Sequence, residues 1–195
     1  MSDAARYSAV EMLRTGQRIE IRALRPDDRD ALIAAVGLAG AQSLYRRFHG
    51  AKRSFSDQEI AFFVNVDFVD HVALVAATDE SGRSVIVGGA RYIVVQPGKA
   101  EVAFTVVDRY QGQGIGAALM RHLAAIARAA GVKELIAEVL PENAAMLKVF
   151  EKSGCSVTTR RDRGVVHVTL ELSERQVSVW PTPPARRLLA RCCPG

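Results

Sequence analysis

The stretch YQGQGIGAAL, residues 110–119, decides how this chain is read, because it places three glycines between a run of β-formers and an amphipathic helix. Gly112, Gly114 and Gly116 carry no Cβ, so successive backbone N–H groups can turn toward one point. That point lies at a helix N-terminus, where the peptide dipoles add partial positive charge. The pattern fits an anion site, most naturally for a pyrophosphate, though glycine spacing alone would also serve a tight strand-to-helix turn. Three phosphate loops compete for it. A nucleotide P-loop needs GxxxxGK[ST], and no Lys follows these glycines before Lys133. The dinucleotide fingerprint G-x-G-x-x-G/A is met formally by Gly112, Gly114 and Ala117, with Glu134 as the distal acid. The third reading is acyl-CoA binding.

The flanking segments choose among these. Upstream, residues 71–78 (HVALVAAT), 85–96 (VIVGGARYIVVQ) and 100–107 (AEVAFTVV) are β-rich runs separated by short turns, which implies an antiparallel meander. Downstream come a helix from Gly114, with Ile115, Leu119, Leu123 and Ile126 on one stripe and Gly131 as its stop, and a strand at 134–140. A helix opened by Pro141 and Asn143 and ended by Gly154 follows, and then a hairpin of 157–161 with 165–172 around Asp162, Arg163 and Gly164. Before the meander, 18–23 (RIEIRA) alternates as a strand, Pro26 opens a helix through Leu38, and 43–48 reads as a second helical piece. Ser56 with Glu59 forms a capping box for a helix over 57–65, its buried side at Ile60, Phe63 and Val64. A doubly wound dinucleotide fold needs several further βα units, and the chain has one strand, one helix and a hairpin left. The expected fold is α+β: a mixed, mostly antiparallel central sheet with helices on both faces.

Composition bounds the rest. The 195 residues are 49% hydrophobic and 24% charged, enough for one domain with a substantial core. The apolar run 31–41 stops short of the roughly 18 residues a membrane span requires, and the first residues lack a signal-peptide core, so a cytoplasmic protein with no membrane partner is expected. Three Cys, two of them adjacent at 192 and 193, make no disulfide framework. His49, His71, His122 and His167 are scattered without metal-ligand spacing, so no metal is expected, and Cys155 reads as a small core residue. Net charge is +5, but from residue 175 onward there are four Arg (175, 186, 187 and 191) and no acid, which leaves the preceding 174 residues nearly neutral. Basicity of that kind gives no reason to expect a nucleic-acid partner. Arg46, Arg47 and Lys52 form a second, local cluster that reads as a solvated face or as a surface for an acidic protein substrate. Four of the seven prolines also fall in the tail. The expected organisation is therefore an extension at 1–17, a domain at 18–174 and a Pro/Arg-rich tail at 175–195.

With these residues in view, a resemblance can be stated. Gln111-Gly112-Gln113-Gly114-Ile115-Gly116 resembles the Q/R-x-x-G-x-G/A signature of the GNAT superfamily of N-acetyltransferases, and PENAAMLKVFEKSGC, with Asn143, Phe150 and Gly154, is similar to that superfamily's next motif. Residues 24–32 (LRPDDRDAL), 43–48 (SLYRRF) and 100–106 (AEVAFTV) resemble the bacterial protein lysine acetyltransferases that modify acyl-CoA synthetases. The resemblance implies acetyl-CoA as co-substrate, its pyrophosphate on Gly112, Gln113, Gly114, Ile115, Gly116 and Ala117 and its pantetheine along the backbone of Val106 and Val107. It implies Glu101 as general base toward an amine, most simply a protein lysine. Strand parity puts Glu101 on one face with the small Ala103 and Thr105. Asn143 is expected as a helix N-cap, as a contact to the CoA arm, or as both. Many members place a general-acid Tyr where this chain has Phe150. A small-molecule amine as acceptor, or a non-catalytic acyl-CoA sensor, are the alternative readings.

Overall fold

A computed structural model describes residues 3–38, 40–48 and 55–172, so the tail at 175–195, His49 and Lys52 lie outside the described residues. The strands are β1 (Ser8–Met12), β2 (Arg18–Ala23), β3 (His71–Glu80), β4 (Arg83–Gln96), β5 (Lys99–Val106), β6 (Glu134–Val139), β7 (Ser156–Asp162) and β8 (Val165–Glu171). Among the described residues the helices are α1 (Arg29–Gly37), α2 (Ala41–Phe48), α3 (Asp57–Val64), α4 (Ile115–Ala129) and α5 (Ala144–Glu151). The strands form one sheet in the order β1-β2-β3-β4-β5-β6-β8-β7. Every neighbouring pair is antiparallel except β5 and β6. This is the expected mixed, mostly antiparallel sheet, entered by a meander and completed by a strand-helix-strand crossover through α4.

One correction falls at the N-terminus. The segment expected to be an extension carries β1, which pairs with β2 from Ser8↔Arg22 to Met12↔Arg18 and belongs to the sheet. Its residues alternate between exposed and half-exposed, so the strand buries too little apolar surface to announce itself by hydrophobic periodicity. What holds it is polar. Tyr7 donates to Nδ1 of His122 on α4, and Glu11 accepts from His122 Nε2 at 2.7 Å and from Arg121. Burial alone would raise the Glu11 carboxyl, but hydrogen bonds from Arg121 and His122 outweigh it and hold it below its ordinary value.

On one face of the sheet α4 buries Ile115, Leu119 and Leu123 almost completely. Gly88 makes that approach possible: a Cβ there would stand 3.3 Å from Ile115 Cγ2 and 3.1 Å from the Thr105 carbonyl. The helix stops at Gly131, φ +80°, where the Val132 N–H closes back on the Ala127 carbonyl at 2.9 Å. Helix α5 lies on the same face, capped by Asn143, whose side-chain oxygen accepts from the Met146 N–H at 3.2 Å. At the far edge, Arg163 and Gly164 both take positive φ, the two-residue turn whose twist suits a β7–β8 hairpin. The expected capping box is present on α3, with Ser56 N–H donating to Glu59 Oε2 at 2.9 Å. No helix among the described residues is long and apolar enough to cross a membrane.

The opposite face carries α1, α2 and α3, and the entry to α1 is pinned by a buried ion pair. Arg22 donates to both Asp28 oxygens, at 2.6 and 2.7 Å, and the Arg25 N–H adds a third bond at 2.7 Å. Burial would raise the Asp28 carboxyl, yet these bonds hold it below its usual value. Removing the acid leaves a buried guanidinium unpaired, which costs about 3–5 kcal/mol. Asp28→Ala should therefore lower the free energy of urea unfolding by about that amount at neutral pH. Because the folded pKa is depressed, the pair's contribution is complete above the unfolded value near 4 and is lost as pH falls through the folded one. The difference between wild type and variant should shrink in the same acidic range.

Candidate active site

Between β5 and β6 the sheet opens. The two parallel strands pair at Lys99↔Glu134, Ala100↔Leu135 and Glu101↔Ile136, and then the ladder ends. Each strand runs on with its other neighbour, β5 along β4 to Gly88↔Val106 and β6 along β8 to Val139↔Val166. They diverge, and a cleft of about 610 Å³ fills the gap, bounded by β5, β6, the glycine loop, α5 and α2. That volume suits a small-molecule ligand.

The divergence strands backbone groups. Val107 N–H donates to the Val87 carbonyl at 2.9 Å, on the β4 side. Antiparallel residues alternate in the edge they address, so Phe104 and Val106 turn their backbone toward the gap, where no strand meets them. The Val106 carbonyl is taken by Gln111 Nε2 at 3.0 Å, leaving the Phe104 N–H and carbonyl and the Val106 N–H to a ligand. Val107 departs from the expectation of a pantetheine contact: besides its bond to Val87, its carbonyl accepts the Tyr110 N–H at 2.9 Å, so both of its backbone groups are engaged.

At the far end of the gap the glycine loop enters α4. Gly112 and Gly114 take φ of +75° and +99°, values that L side chains adopt at a cost, and Gly114 is the N-cap residue. The N–H groups of Ile115, Gly116 and Ala117 precede the first helical bond, from Ala118 to the Gly114 carbonyl at 3.0 Å. Gly112, Gly114, Ile115, Gly116 and Ala117 all line the cleft, as does Asn143 across from them. Gln113 does not; its Nε2 folds back on the Arg109 carbonyl at 3.0 Å and braces the turn. Gly116 faces Val149 of α5, and a Cβ there would make ordinary contact with Val149 Cγ2 at 3.5 Å. Phe150, in the position of the absent Tyr, is buried with its ring edge-on to Phe104, centroids 5.9 Å apart.

Glu101 stands at the last paired position, where the strands part, and it is exposed. Cross-strand register puts it in a row with Ile93 and His71, beside the row of Ala103, Arg91 and Ala73. Its carboxylate makes no ion pair and no hydrogen bond with any described residue. Nearby, Arg91 is held by the Phe63 carbonyl at 3.3 Å and by His71 Nε2 at 3.1 Å. Burial first, and the Arg91 charge second, push the His71 pKa down, so that imidazole stays neutral and structural.

Two features of the site escaped the sequence reading. Ser43 of α2 donates to Asp108 Oδ1 at 2.6 Å and accepts from Gln111 Nε2 at 3.0 Å, tying α2 to the loop. Arg46 lines the cleft, although its cluster gave no sign of which of its members would; the side chain of Arg47 lies outside the described residues. Among the described residues no group of three or more His, Cys, Asp or Glu is placed to hold a metal ion.

A split parallel pair with a glycine loop at the mouth of the split coincides with a known family. The model of the Acetyltransferase (GNAT) family matches residues 38–155. The chain belongs to the GNAT acetyltransferase family. Acetyltransferase Pat of Mycolicibacterium smegmatis is 34% identical over 164 residues, covering 82% of this chain and 47% of that protein, so the chain spans about half the length of this relative. Acetyltransferase PA5475 of Pseudomonas aeruginosa is 33% identical over 138 residues, 70% of this chain and 74% of that protein. The crystal structure of the GNAT domain of S. lividans PAT superposes with a TM-score of 0.76 at 34% identity, covering 84% of this chain and 96% of that one.

GNAT acetyltransferases take acetyl-CoA as acyl donor, and the cleft of this member fits it. Loop amides without helical partners suit the pyrophosphate, and the unpaired β5 edge suits the amides of the pantetheine arm. A methyl group at Gly114 meets backbone strain of about 1–2 kcal/mol in the left-handed region, or turns the amides away to relieve it. Gly114→Ala should weaken acetyl-CoA binding about tenfold in calorimetric titration, with circular dichroism unchanged.

Proposed function

We propose that this GNAT protein transfers the acetyl group of acetyl-CoA to a primary amine, in the first place the ε-amine of a protein lysine, by direct attack with Glu101 as general base. The observation that carries the reading is the place of Glu101 at the apex of the β5–β6 split, on the face it shares with Ala103 and Thr105 and beside the unpaired edge of Phe104 and Val106. Likeness to Pat supports the lysine as acceptor, together with the LRPDDRDAL, SLYRRF and AEVAFTV segments.

The chemistry follows from what each group can supply. An alkyl amine with a reference pKa near 10.4 arrives protonated at neutral pH and has no lone pair to attack with. A carboxylate within reach, directly or through one water, takes that proton as the nitrogen bonds to the acyl carbon. The C–S bond then breaks and the electron pair leaves on sulfur. A thiol with a reference pKa near 8.5 departs tolerably as thiolate, so Phe150 in place of an acid is compatible with turnover. During attack the oxygen gains negative charge, and a β5 edge amide without a ladder partner is the donor nearest to hand. Small residues at Ala103 and Thr105 leave the amine room to approach from the Glu101 face.

Glu101→Gln keeps the size and hydrogen-bonding reach of the side chain and removes its basic lone pair. Acetyl-CoA affinity should hold while kcat and kcat/KM for the amine fall together by about 10²- to 10⁴-fold, the usual worth of general-base assistance. The deficit should narrow as pH rises and more amine arrives deprotonated. Full activity of the variant at neutral pH in a thiol-release assay would remove Glu101 from the mechanism.

A further inference from the structure

Arg46 has no place in the scheme above, and its surroundings are unusual for a cation. It lines the cleft from α2, its Nε is shielded from solvent, and that N–H has no hydrogen-bond partner. Shielded polar hydrogens are paired in the great majority of cases, and an orphan on a charged group inside a ligand cleft is a donor kept for the ligand.

The fold fixes the end of the cleft at which Arg46 stands. Ser43, three residues ahead on the same face of α2, donates to Asp108 Oδ1 and accepts from Gln111 Nε2, so this part of the helix is tied to the start of the glycine loop. The backbone at Gly40 packs on the same Asp108 carboxylate. Three residues of helix rise only about 4.5 Å, and helical side chains lean toward the N-terminus of their helix. Arg46 is thereby directed back over the Ser43 turn, toward the loop. Asp108 does not satisfy its Nε; Oδ1 of that carboxylate is engaged by Ser43 and by Gln111.

The loop lacks what Arg46 carries. Residues 110–117 include no Lys or Arg, and Gln111 spends its side-chain Nε2 on Ser43, Asp108 and the Val106 carbonyl. From the loop, a donor pyrophosphate meets backbone N–H groups and the dipole of α4, roughly half a positive charge against about two negative ones on the ligand. Lys148 and Lys152 line the cleft from α5, but both are exposed. Arg46 is the cation of this cleft with an N–H held out of water and unpaired.

We infer that Arg46 is a donor-binding residue: its guanidinium bonds the pyrophosphate of acetyl-CoA from the α2 side while the loop amides bond it from the α4 side. The forked N–H groups of an arginine match phosphate oxygens, and such a bond satisfies the orphaned Nε. The inference concerns the donor alone and stands whichever amine is the acceptor and whether or not Glu101 is the base.

The test is a ligand-truncation series on the full chain. Acetyl-CoA and a dephospho analogue that lacks only the ribose phosphate are titrated calorimetrically, and S-acetylpantetheine, which has no phosphate, is measured by displacement of CoA. Arg46→Gln should weaken the first two by the same factor, about 10- to 100-fold, and leave acetylpantetheine within about twofold; Arg46→Lys should recover part of the loss. Unchanged affinity for acetyl-CoA in Arg46→Gln would overturn the inference. So would a loss that vanishes with the dephospho analogue, which would put Arg46 on the ribose phosphate, or an equal loss for acetylpantetheine. The wild-type Nε–H gives a second reading that needs no stable Gln variant. In a nitrogen–proton correlation spectrum, where Arg46→Lys identifies its resonance, it should shift and exchange more slowly with water on addition of acetyl-CoA and not of acetylpantetheine. A resonance that acetyl-CoA leaves unmoved would overturn the inference.

Discussion

A parallel strand pair that stops after three registers governs this molecule. Strand β5 is held throughout by β4 and β6 throughout by β8, so both remain straight members of one sheet while parting from each other beyond Glu101↔Ile136. Buried backbone groups normally find partners, and a row left without them inside a fold is either a defect or a docking edge. Here the row faces a cleft closed by a glycine loop at one end and Glu101 at the other. A substrate that adds itself to the β5 edge completes the ladder the protein leaves open. In the mechanism proposed above, the same opening would admit the second substrate, with Glu101 at the apex on the opposite face.

The helices keep that gap from closing. Helix α4 sits down on Gly88 and brings its unpaired N-terminal amides to the mouth, and α5 packs alongside it with Val149 facing Gly116. From the other face, α2 is moored to the loop by Ser43, Asp108 and Gln111, the first residue of the glycine signature. Gln111, itself part of the glycine loop, thereby touches α2 at Ser43 and the β5 edge at Val106 at once. Side-chain bonds of this kind cost little in area and fix two walls of a cleft relative to one another.

Much of this was legible in the order of residues, and what was not has a common cause. The glycines of 112–116, the stripe of α4, the Ser56–Glu59 cap and the Arg163-Gly164 turn are local patterns, and each appears where its chemistry demands. Strand parity placed Glu101, Ala103 and Thr105 correctly for the same reason. β1 went unseen because an edge strand exposed on most of its surface leaves no alternation, and its anchors at His122 and Arg121 are more than a hundred residues away. The divergence of β5 from β6 is a matter of which neighbour each strand follows, and no window of sequence contains it. The backbone of Val107 turns to Val87 and Tyr110 rather than to the gap, and Arg46 is seen on the cleft wall only once Ser43 has tied α2 to Asp108 and Gln111.

If the open edge of β5 is the donor slot, ligand binding must show on particular amides. Residue-resolved hydrogen exchange with and without saturating acetyl-CoA reads them directly. The Phe104 and Val106 amides, which lack a ladder partner, should slow strongly on addition, along with those of Ile115 to Ala117, while Val107, already bonded to Val87, should change little. Protection that rises at Val107 or on the outer strands and leaves Phe104 and Val106 unchanged would contradict the account at its centre.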